Sequence, residues 1–376
     1  MDATTICFLP HPTPESICHA VDEVAEAARS PCTVVVLLAE TGAPPLEDVR
    51  AALVGARSPC CGALFPAILQ DGAVHREGAV VFALESSRPP RLITGLGDDD
   101  FRVDLEAGGA EGALVLVDGL TTRPARFLAE LYRFRGVGTH FFGGGAGSAN
   151  LRPMPVLFTP EGVYQDAALL VEFDGPCQLG VAHGFELVHG PLLTTRTDGC
   201  VVREINWRPA LDVYAEVLQD RCGVTVTPGN FAAAAQAFPL GLTRDKGDPV
   251  LRDPIACTPD GGLVCVGEVP EHASFGIYRG DADGLIAAAG SAVDAGVGAG
   301  GARIGFVADC ISRSVLLGEG FDAELAAIRS RFAAGLPGAR VIGALTLGEI
   351  SSVGDRYLEF LNKTCVVATL GGLEPA

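Results

Sequence analysis

Lysine is nearly absent from this chain of 376 residues, in which Lys246 and Lys363 are the only two. Aspartate and glutamate together number 46, against 27 for lysine and arginine, and the formal net charge is −19 at pH 7. An acidic surface repels phosphate backbones and anionic lipid headgroups. The charge therefore argues against nucleic acid or a membrane surface as the partner of this protein.

Long apolar runs are missing as well. No run approaches the roughly 20 residues that a membrane-spanning helix needs. The N-terminal residues MDATTICFLP lack the basic region and the long apolar stretch of a secretory signal. The sequence therefore predicts a cytoplasmic protein.

The twelve cysteines do not follow a metal-binding pattern. They form no CxxC pair and show no Cys/His spacing typical of a zinc site. Most lie in apolar runs that resemble strands, such as Val264-Cys265-Val266. We interpret them as reduced and buried small hydrophobic residues, which is the usual state of cytosolic cysteine.

The composition that remains is that of a packed globular protein. Hydrophobic residues make up 48% of the chain and charged residues only 19%. A chain of this length exceeds one ordinary core, so we expect two domains or two fused halves. Turns and a short helix within 219–235 favour a boundary there, and we place the two domains at 30–225 and 226–372.

One order of elements occurs three times: a buried strand, a helix, a glycine-containing strand start, a loop and a second strand. In the first copy the strand, helix and second strand are predicted at 33–40, 46–56 and 78–84. In the second copy they are predicted at 113–119, 124–134 and 166–173, and in the third at 303–310, 322–335 and 363–370. Between the last two copies, 175–279 is typical of hairpins with a helix. We predict an α/β fold (mixed α+β) of two fused halves, with buried mixed sheets, outer helices and internally repeated β-α-β-β units.

Glycines are dense in the middle of each copy, most clearly at Gly143, Gly144, Gly145 and Gly147. Glycine permits positive φ or the close approach of another group, and successive N–H groups of a turn can hold an anion. No Lys-Ser/Thr follows as in a P-loop, and no GxGxxG opens a helix. We predict three matching glycine turns that face a shared ligand cleft; the alternative is tight turns that only support strands.

Several motifs, in one order along the chain, resemble the FIST family. The stretch 180-GVAHGFELVHGPLLTTRTDGCVVREINWRPALDVYAEVL-218 is similar to the family pattern xVSHGWxPxGPxxxVTxxxGNxVxELxGxPALxVY. Residues 239–256, with Arg252-Asp253-Pro254, and the closing 343-GALTLGEISSVG-354 extend the resemblance over 30–372.

The closing motif of the family is Gly-x-x-Thr-x-Gly-Glu-Ile, followed by His-Asn-x-Thr. Among the residues that this chain keeps are Thr346, Gly348, Glu349, Ile350, Asn362 and Thr364. Leu361 occupies the histidine place, and the first glycine motif of the family is reduced here to 61-CGALFP-66. The resemblance implies a ligand site that includes Thr346, Gly348, Glu349 and Asn362.

The resemblance also implies a function. It indicates a small-ligand sensory protein with a FIST N-terminal domain at 30–225 and a FIST C-terminal domain at 226–372, and amino acids are among the suggested ligands. Because no output domain is fused to the chain, it implies a separate signalling partner such as a histidine kinase. A subset of standalone members is associated with haem and nitric-oxide sensing beside histidine kinases. A haem-binding gas sensor is therefore the alternative, with His183 or His140 as the axial ligand.

Acidic and basic side chains supply further candidates. Glu349 lies near glycines in an apolar segment. Its carboxylate is a candidate to bind a ligand amine or to accept a hydrogen bond from the region of Asn362 and Thr364. A solvated turn residue or a helix cap is the alternative. Arg252 and Arg208 are candidates for binding a ligand carboxylate, or for an internal Arg–Asp pair.

Histidine and cysteine allow two other readings. His183 precedes a glycine and has room for a ligand, although a structural hydrogen bond is the commoner role for such a residue. An enzyme would use Cys61 as the nucleophile, with His75 or His183 as the base. No acidic residue near Cys61 orients such a base, and no Ser/His/Asp motif occurs. We therefore favour a sensory role over a catalytic one.

Overall fold

Three units of the same strand order form the body of the protein, and a fourth sheet is inserted into the third unit. The computed structural model describes residues 5–28, 30–105, 109–298, 302–353 and 357–371. Its helices and strands confirm the predicted α/β class with repeated β-α-β-β units. Within these ranges no helix is both long enough and apolar enough to cross a membrane.

The first unit is a parallel strand pair joined by a helix, with a hairpin and a returning strand after it. Its elements are β1 (Ile6–Leu9), α1 (Pro14–Ala28), β2 (Cys32–Ala39), α2 (Leu46–Leu53), β3 (Cys60–Phe65), β4 (Ala67–Gln70), β5 (Ala73–His75) and β6 (Ala79–Glu85). β2 pairs in parallel with β3, β6 returns antiparallel to β2, and β1 forms the edge beside β6. β2 is buried throughout, as its uninterrupted apolar run CTVVVLLA predicts for a strand covered on both faces.

The second unit repeats this plan. Its elements are β7 (Arg91–Thr94), β8 (Gly112–Asp118), α3 (Pro124–Arg135), β9 (His140–Ala146), β10 (Leu157–Thr159), β11 (Gly162–Tyr164) and β12 (Ala167–Phe173). β8 pairs in parallel with β9, β12 returns antiparallel to β8, and β7 forms the edge beside β12. Proline at the first position of α3 fixes the φ that a helix start requires.

The third unit begins with its edge strand, β13 (Cys177–Ala182), and is then interrupted by the inserted sheet. The insertion consists of β14 (Phe185–Asp198), β15 (Val201–Ile205), β16 (Arg208–Pro209), α4 (Ala210–Cys222), α5 (Phe231–Ala235), β17 (Leu240–Leu242), β18 (Val250–Arg252), β19 (Pro254–Cys257), β20 (Leu263–Cys265) and β21 (Ser274–Gly280). The strand order is β18-β17-β21-β14-β15-β20-β19, and β16 pairs with β15.

The third unit then resumes on the same plan. Its remaining elements are α6 (Ala282–Gly296), β22 (Ala302–Cys310), α7 (Ile311–Leu317), α8 (Phe321–Gly335), β23 (Arg340–Thr346), β24 (Glu349–Val353), β25 (Tyr357–Leu361) and β26 (Cys365–Gly371). β22 pairs in parallel with β23, β26 returns antiparallel to β22, and β13 pairs with β26.

The hairpins of the three units are exchanged in a ring. β4 of the first unit pairs with β23 of the third, β24 of the third with β9 of the second, and β10 of the second with β3 of the first. Three phenylalanines, one from each unit, pack together: the ring centroids of Phe142 and Phe306 are 5.3 Å apart, and those of Phe82 and Phe306 are 6.3 Å apart. Each sheet is thus completed by a neighbouring unit, and the three units form one body.

The glycines that we expected in turns lie mainly inside strands, which corrects that expectation. Gly62, Gly143 and Gly343 occupy the same place in β3, β9 and β23, each opposite a valine of the parallel neighbour strand. A Cβ atom at any of the three would collide with the main-chain oxygen of that valine. The close approach that these glycines permit is therefore that of another strand.

Alanine at Gly343 should destabilise the protein for this reason. The added methyl group would have to displace the Val307 carbonyl within a parallel strand pair, and overpacking of this kind costs about 1–3 kcal/mol. We expect urea denaturation to show a loss of that size. Gly55→Ala is the control, since a Cβ there meets no atom within 4 Å; an equal loss in both variants would contradict the packing argument.

Candidate ligand-binding site

Glu349 is the first residue of β24, and its side chain is fully buried. Its Oε1 accepts a hydrogen bond from Thr346 Oγ1 at 2.9 Å, and its Oε2 accepts from the N–H and the Oγ1 of Thr364 at 3.2 and 2.7 Å. Burial raises the pKa of this carboxyl to about 7, and the hydrogen bonds offset part of that rise. The structure thus joins Glu349 to Thr346 and Thr364, inside the body rather than in a solvated turn.

The repeated units show that the hairpin itself does not require a carboxylate. Glu349 lies opposite the residue that follows the strand glycine of the neighbouring unit. At the equivalent place the other two hairpins carry Ile68 and Leu157, both fully buried. Burying a carboxyl group costs free energy that an aliphatic side chain does not. Glu349 therefore serves a purpose particular to the third unit.

Asn362 and Gly348, also expected at the site, lie beside this group. Nδ2 of Asn362 donates to the Leu361 oxygen at 2.9 Å, while its Oδ1 is buried and has no hydrogen-bond partner among the described residues. Gly348 has φ 91°, which favours glycine, and a Cβ there would collide with the ring of Phe360. Both residues shape the chain next to Glu349.

The other expected glycines pack against the same segment. A Cβ at Gly144, Gly145 or Gly147 would collide with side-chain or main-chain atoms of residues 346–348. The Gly145 N–H donates to the Gly348 oxygen at 2.8 Å. These glycines therefore bring β9 of the second unit against the segment that carries Glu349.

Arg313 of α7 is the centre of a second buried polar cluster. Nε and Nη2 each bind the Glu324 carboxylate at 2.9 Å. The remaining N–H groups donate to main-chain oxygens at 2.7–3.1 Å, those of His183, Leu285 and Lys363. All five donors of the guanidinium are thus engaged. Arg313 fastens the end of β13 to α6, α8 and the start of β26.

Lys363 is buried between these two clusters. Its Nζ lies 3.0 Å from Oδ2 of Asp253 and donates to the Gln236 oxygen at 2.8 Å. Ser312 Oγ donates to the same Asp253 oxygen at 2.7 Å. Asp253 thus pairs with Lys363, and no Arg252–Asp253 pair is found among the described residues. The Arg208 guanidinium is on the surface, 2.7 Å from the Glu216 carboxylate.

The two histidines proposed as axial ligands do not fit a haem. His183 is 8% exposed, and its Nδ1 accepts a hydrogen bond from the Phe185 N–H at 2.9 Å. The neutral ring must therefore carry its proton on Nε2, the nitrogen that iron would need. The ring also packs against Phe185 and Tyr278. His140 is exposed at the start of β9.

Cys61 is unsuited to nucleophilic catalysis. Its side chain is fully buried in β3, and burial raises the pKa of its thiol well above the ordinary value. Within the described part of the chain no hydrogen bond joins Cys61 to His75 or His183. The thiolate that a nucleophile requires is therefore disfavoured at this position.

Arg252, at the end of β18, has a hydrogen-bonding capacity that the protein does not use. Its exposed fraction is 4%. Nε donates to the Glu268 oxygen at 2.9 Å, and Nη1 donates to the Leu251 and Phe360 oxygens at 3.0 Å each. Nη2 makes no hydrogen bond within the described residues, and the guanidinium has no ion-pair partner there. Two N–H donors of a buried cation thus remain for a ligand.

Arg252 lines a pocket of about 550 Å³ between the inserted sheet and the three-unit body. That volume is in the range of small-molecule sites. The lining residues come from α3, the β14–β15 hairpin, β17, β18, the loop before β21, and β25: Ala125, Arg126, Thr197, Gly199, Leu242, Thr243, Arg244, Val250, Arg252, Glu268, Val269, Pro270, Glu271, Ala273 and Glu359.

The other charged groups of this pocket are engaged with the protein. Nη2 of Arg244 lies 3.0 Å from Oε1 of Glu359. Oε2 of Glu268 accepts a hydrogen bond from the Ala125 N–H, at the start of α3, at 3.1 Å. The pocket therefore combines a guanidinium with free donors and several carboxylates, which can accept hydrogen bonds from a cationic group.

Sequence reasoning named Arg252 but missed its surroundings. Arg313 carried a signal, since it follows the end of a buried strand in an apolar stretch. Lys363 carried another, because one of only two lysines stands between Asn362 and Thr364. Arg244 lies in an ordinary polar stretch, and Glu268 and Glu359 are single carboxylates among apolar residues, so none of the three carried a signal.

Comparison with known proteins identifies the relatives of this chain. The model of the FIST N domain matches residues 20–208, and that of the FIST C domain matches residues 210–352. Among curated proteins, none matches the chain. A solved structure, phosphoribosylformylglycinamidine synthase II from Thermotoga maritima, aligns with 97% of this chain and 72% of its own at 13% identity, with a TM-score of 0.19. That score is too low to indicate a shared fold.

Proposed function

Because the chain belongs to the FIST family, whose domains are small-ligand sensory domains in signal transduction, we propose that it binds an amino-acid-like metabolite in the Arg252 pocket. A separate signalling protein, such as a histidine kinase, would read the occupancy. The observation that supports this site is that the two Nη2 donors of the buried Arg252 guanidinium have no partner among the described residues. Guanidinium binds carboxylate strongly, through charge-assisted hydrogen bonds.

The carboxylates of the pocket support a ligand that also carries a cation. Glu268, Glu271 and Glu359 all line it. An α-amino acid has both a carboxylate for Arg252 and an ammonium group for one of these glutamates. A simple monocarboxylate would use Arg252 alone and gain less. Leu242, Val250 and Val269 add apolar surface for a side chain.

The position of the pocket supports a sensory use. Ala125 and Thr197 belong to the part matched by the FIST N domain, and Val250 and Glu268 belong to the part matched by the FIST C domain. A ligand held between the two shifts the equilibrium toward the arrangement that it binds better. All twelve cysteines are free thiols, which supports action in the reducing cytoplasm.

A thermal-shift screen tests this proposal. The proteinogenic L-amino acids are compared with amines that lack the carboxylate and with acids that lack the amine. We expect at least one amino acid, in hundredfold excess over its Kd, to stabilise the native state by about 2.7 kcal/mol and raise Tm by several degrees. Its two truncated analogues should stabilise less. The absence of any shift, or an equal shift with the amine alone, would contradict the proposed carboxylate site.

A further inference from the structure

The chain segment 359–364 lies between the Arg252 pocket and Glu349. On the pocket side, Glu359 pairs with Arg244, and the Phe360 oxygen accepts a hydrogen bond from Nη1 of Arg252. On the other side, Thr364 donates two hydrogen bonds to Glu349. One short segment therefore touches both groups.

Strand pairing makes this connection direct. Glu349 is the cross-strand partner of Leu361, the residue that follows Phe360. Among the described strands β25 pairs with β24 alone and lies at the edge of its sheet, so its outer carbonyl groups are free to accept from Arg252. A movement at Glu349 is thus passed to Phe360 through its cross-strand partner Leu361, and a movement at Thr364 reaches Phe360 along the three residues between them.

We propose that Glu349 is a positioning residue for the ligand pocket: by holding Thr364 and the end of β25, it fixes the Phe360 carbonyl that keeps Arg252 aimed at the ligand. This role rests on the proposed function and adds a residue that governs the geometry of that ligand site. It also accounts for a carboxylate where the two equivalent hairpins have Ile68 and Leu157.

Protonation of Glu349 should change how firmly it fixes Thr364 and the end of β25. As an anion it accepts three hydrogen bonds, whereas a protonated carboxyl has to use one oxygen as a donor, so a threonine hydroxyl must turn. Its pKa is raised by burial from 4.5 to about 7. The contribution of this raised pKa to the free energy of unfolding is therefore largest below about pH 4.5, where the carboxyl is protonated, and is lost as the pH rises through about 7.

Other titratable and charged groups face Glu349 from the elements packed around it. They are Asp309 and Cys310 of β22, Lys363 before β26, and Cys365 of β26. Burial raises the pKa of Asp309, Cys310 and Cys365 well above their ordinary values, and Glu349→Gln separates the titration of Glu349 from that of the neighbouring Asp309 carboxyl.

A titration without any ligand tests the positioning role. The Nε–H resonance of Arg252, in protein with isotope-labelled arginine, is assigned by its loss in Arg252→Lys. We expect it to shift in the wild type with a midpoint near pH 7 and to stay constant in Glu349→Gln. Thr364→Val removes a hydrogen bond that lowers the pKa of Glu349, so its midpoint should move to higher pH. If Glu349→Gln does not fold, Thr364→Val still decides the question.

The same variants are then tested for binding, with the amino acid that gives the largest thermal shift as the probe. The wild type should bind it about fivefold more weakly at about pH 6 than at about pH 8, within the usual range of coupling between sites. Glu349→Gln should remove the difference. His272→Ala, which replaces an exposed histidine beside the pocket loop, should retain it.

The two ideas fail separately. The role of Glu349 would be overturned if the Arg252 resonance does not shift with pH in the wild type, or if it shifts equally in Glu349→Gln. Either outcome counts whether or not an amino acid binds. Lack of binding by every amino acid would overturn the proposed ligand, while the titration still decides the link between Glu349 and Arg252.

Discussion

Arg252→Lys is expected to weaken binding of the best amino acid by about 10–100-fold, because hydrogen bonds to charged groups contribute about 1.5–3 kcal/mol. Lysine keeps the charge but has no planar fork. Its single ammonium cannot serve the Glu268 and Phe360 oxygens and also a ligand carboxylate in the geometry that Arg252 adopts. Isothermal titration calorimetry measures the change in Kd.

The matched control is Arg208→Lys, which makes the same chemical change at a surface arginine paired with Glu216. Its Kd should equal that of the wild type. Because Arg252 is buried, circular dichroism and the Tm of the free protein are recorded first, so that lost folding is not counted as lost affinity. Binding by folded Arg252→Lys within about twofold of the wild type, well under 1 kcal/mol, would remove Arg252 from the site.

Arg313→Met should cause the largest loss of stability, about 3–5 kcal/mol. The substitution leaves the buried Glu324 carboxylate without its cation and three main-chain oxygens without donors. Since a native protein is stable by only about 5–15 kcal/mol, the variant is expected to be marginal at room temperature. Urea denaturation gives the difference in the free energy of unfolding.

Arg331→Met provides the comparison. Arg331 lies on α8 and pairs with Asp294 at 2.9 Å, but both side chains are more than half exposed. Such a pair contributes about 0–1 kcal/mol. A second variant, Arg313→Met with Glu324→Leu, removes the cation and one of the two buried carboxylates paired with it, the other being Asp309, and should recover part of the loss. Equal stability of Arg313→Met and Arg331→Met would refute the assigned role of the buried cluster.

The strands and helices of the repeated units were predictable because their signals are local. The run at 33–40 is apolar without alternation, as a strand buried on both faces must be, and β2 occupies 32–39. The helix predicted at 124–134 begins with proline and is observed at Pro124–Arg135. The exchange of hairpins was not predicted, because pairing of β4 with β23 depends on residues far apart in sequence.

A glycine in the sequence is compatible with close approach of either of two different groups. A glycine such as Gly143 indicates that something approaches the main chain closely, but the sequence does not say whether this is a ligand or a strand. The structure places the Val115 carbonyl there. Glu349 was singled out from its motif, although its burial was not foreseen. The domain boundary at 225/226 and the ligand contacts of Glu349 and Asn362 stay predictions.

The pocket could not be read from the sequence because its wall is discontinuous. Ala125, Thr197, Arg252 and Glu359 belong to four separate segments, and only the inserted sheet and the body together bring them close. Arg252 was found because its guanidinium stands in a recognisable motif. Glu359, on an edge strand, has nothing in its local sequence to mark it.

The exchanged hairpins also govern how the chain can fold during synthesis. β4 and β5 leave the ribosome early, but the partner of β4 is β23, near the end of the chain. The first sheet gains β10 at 157–159, but the edge of β4 remains unpaired until β23 is made. Unpaired edges are prone to wrong association. The nascent protein therefore depends on delayed closure after translation, when protection of these edges by a chaperone would matter most.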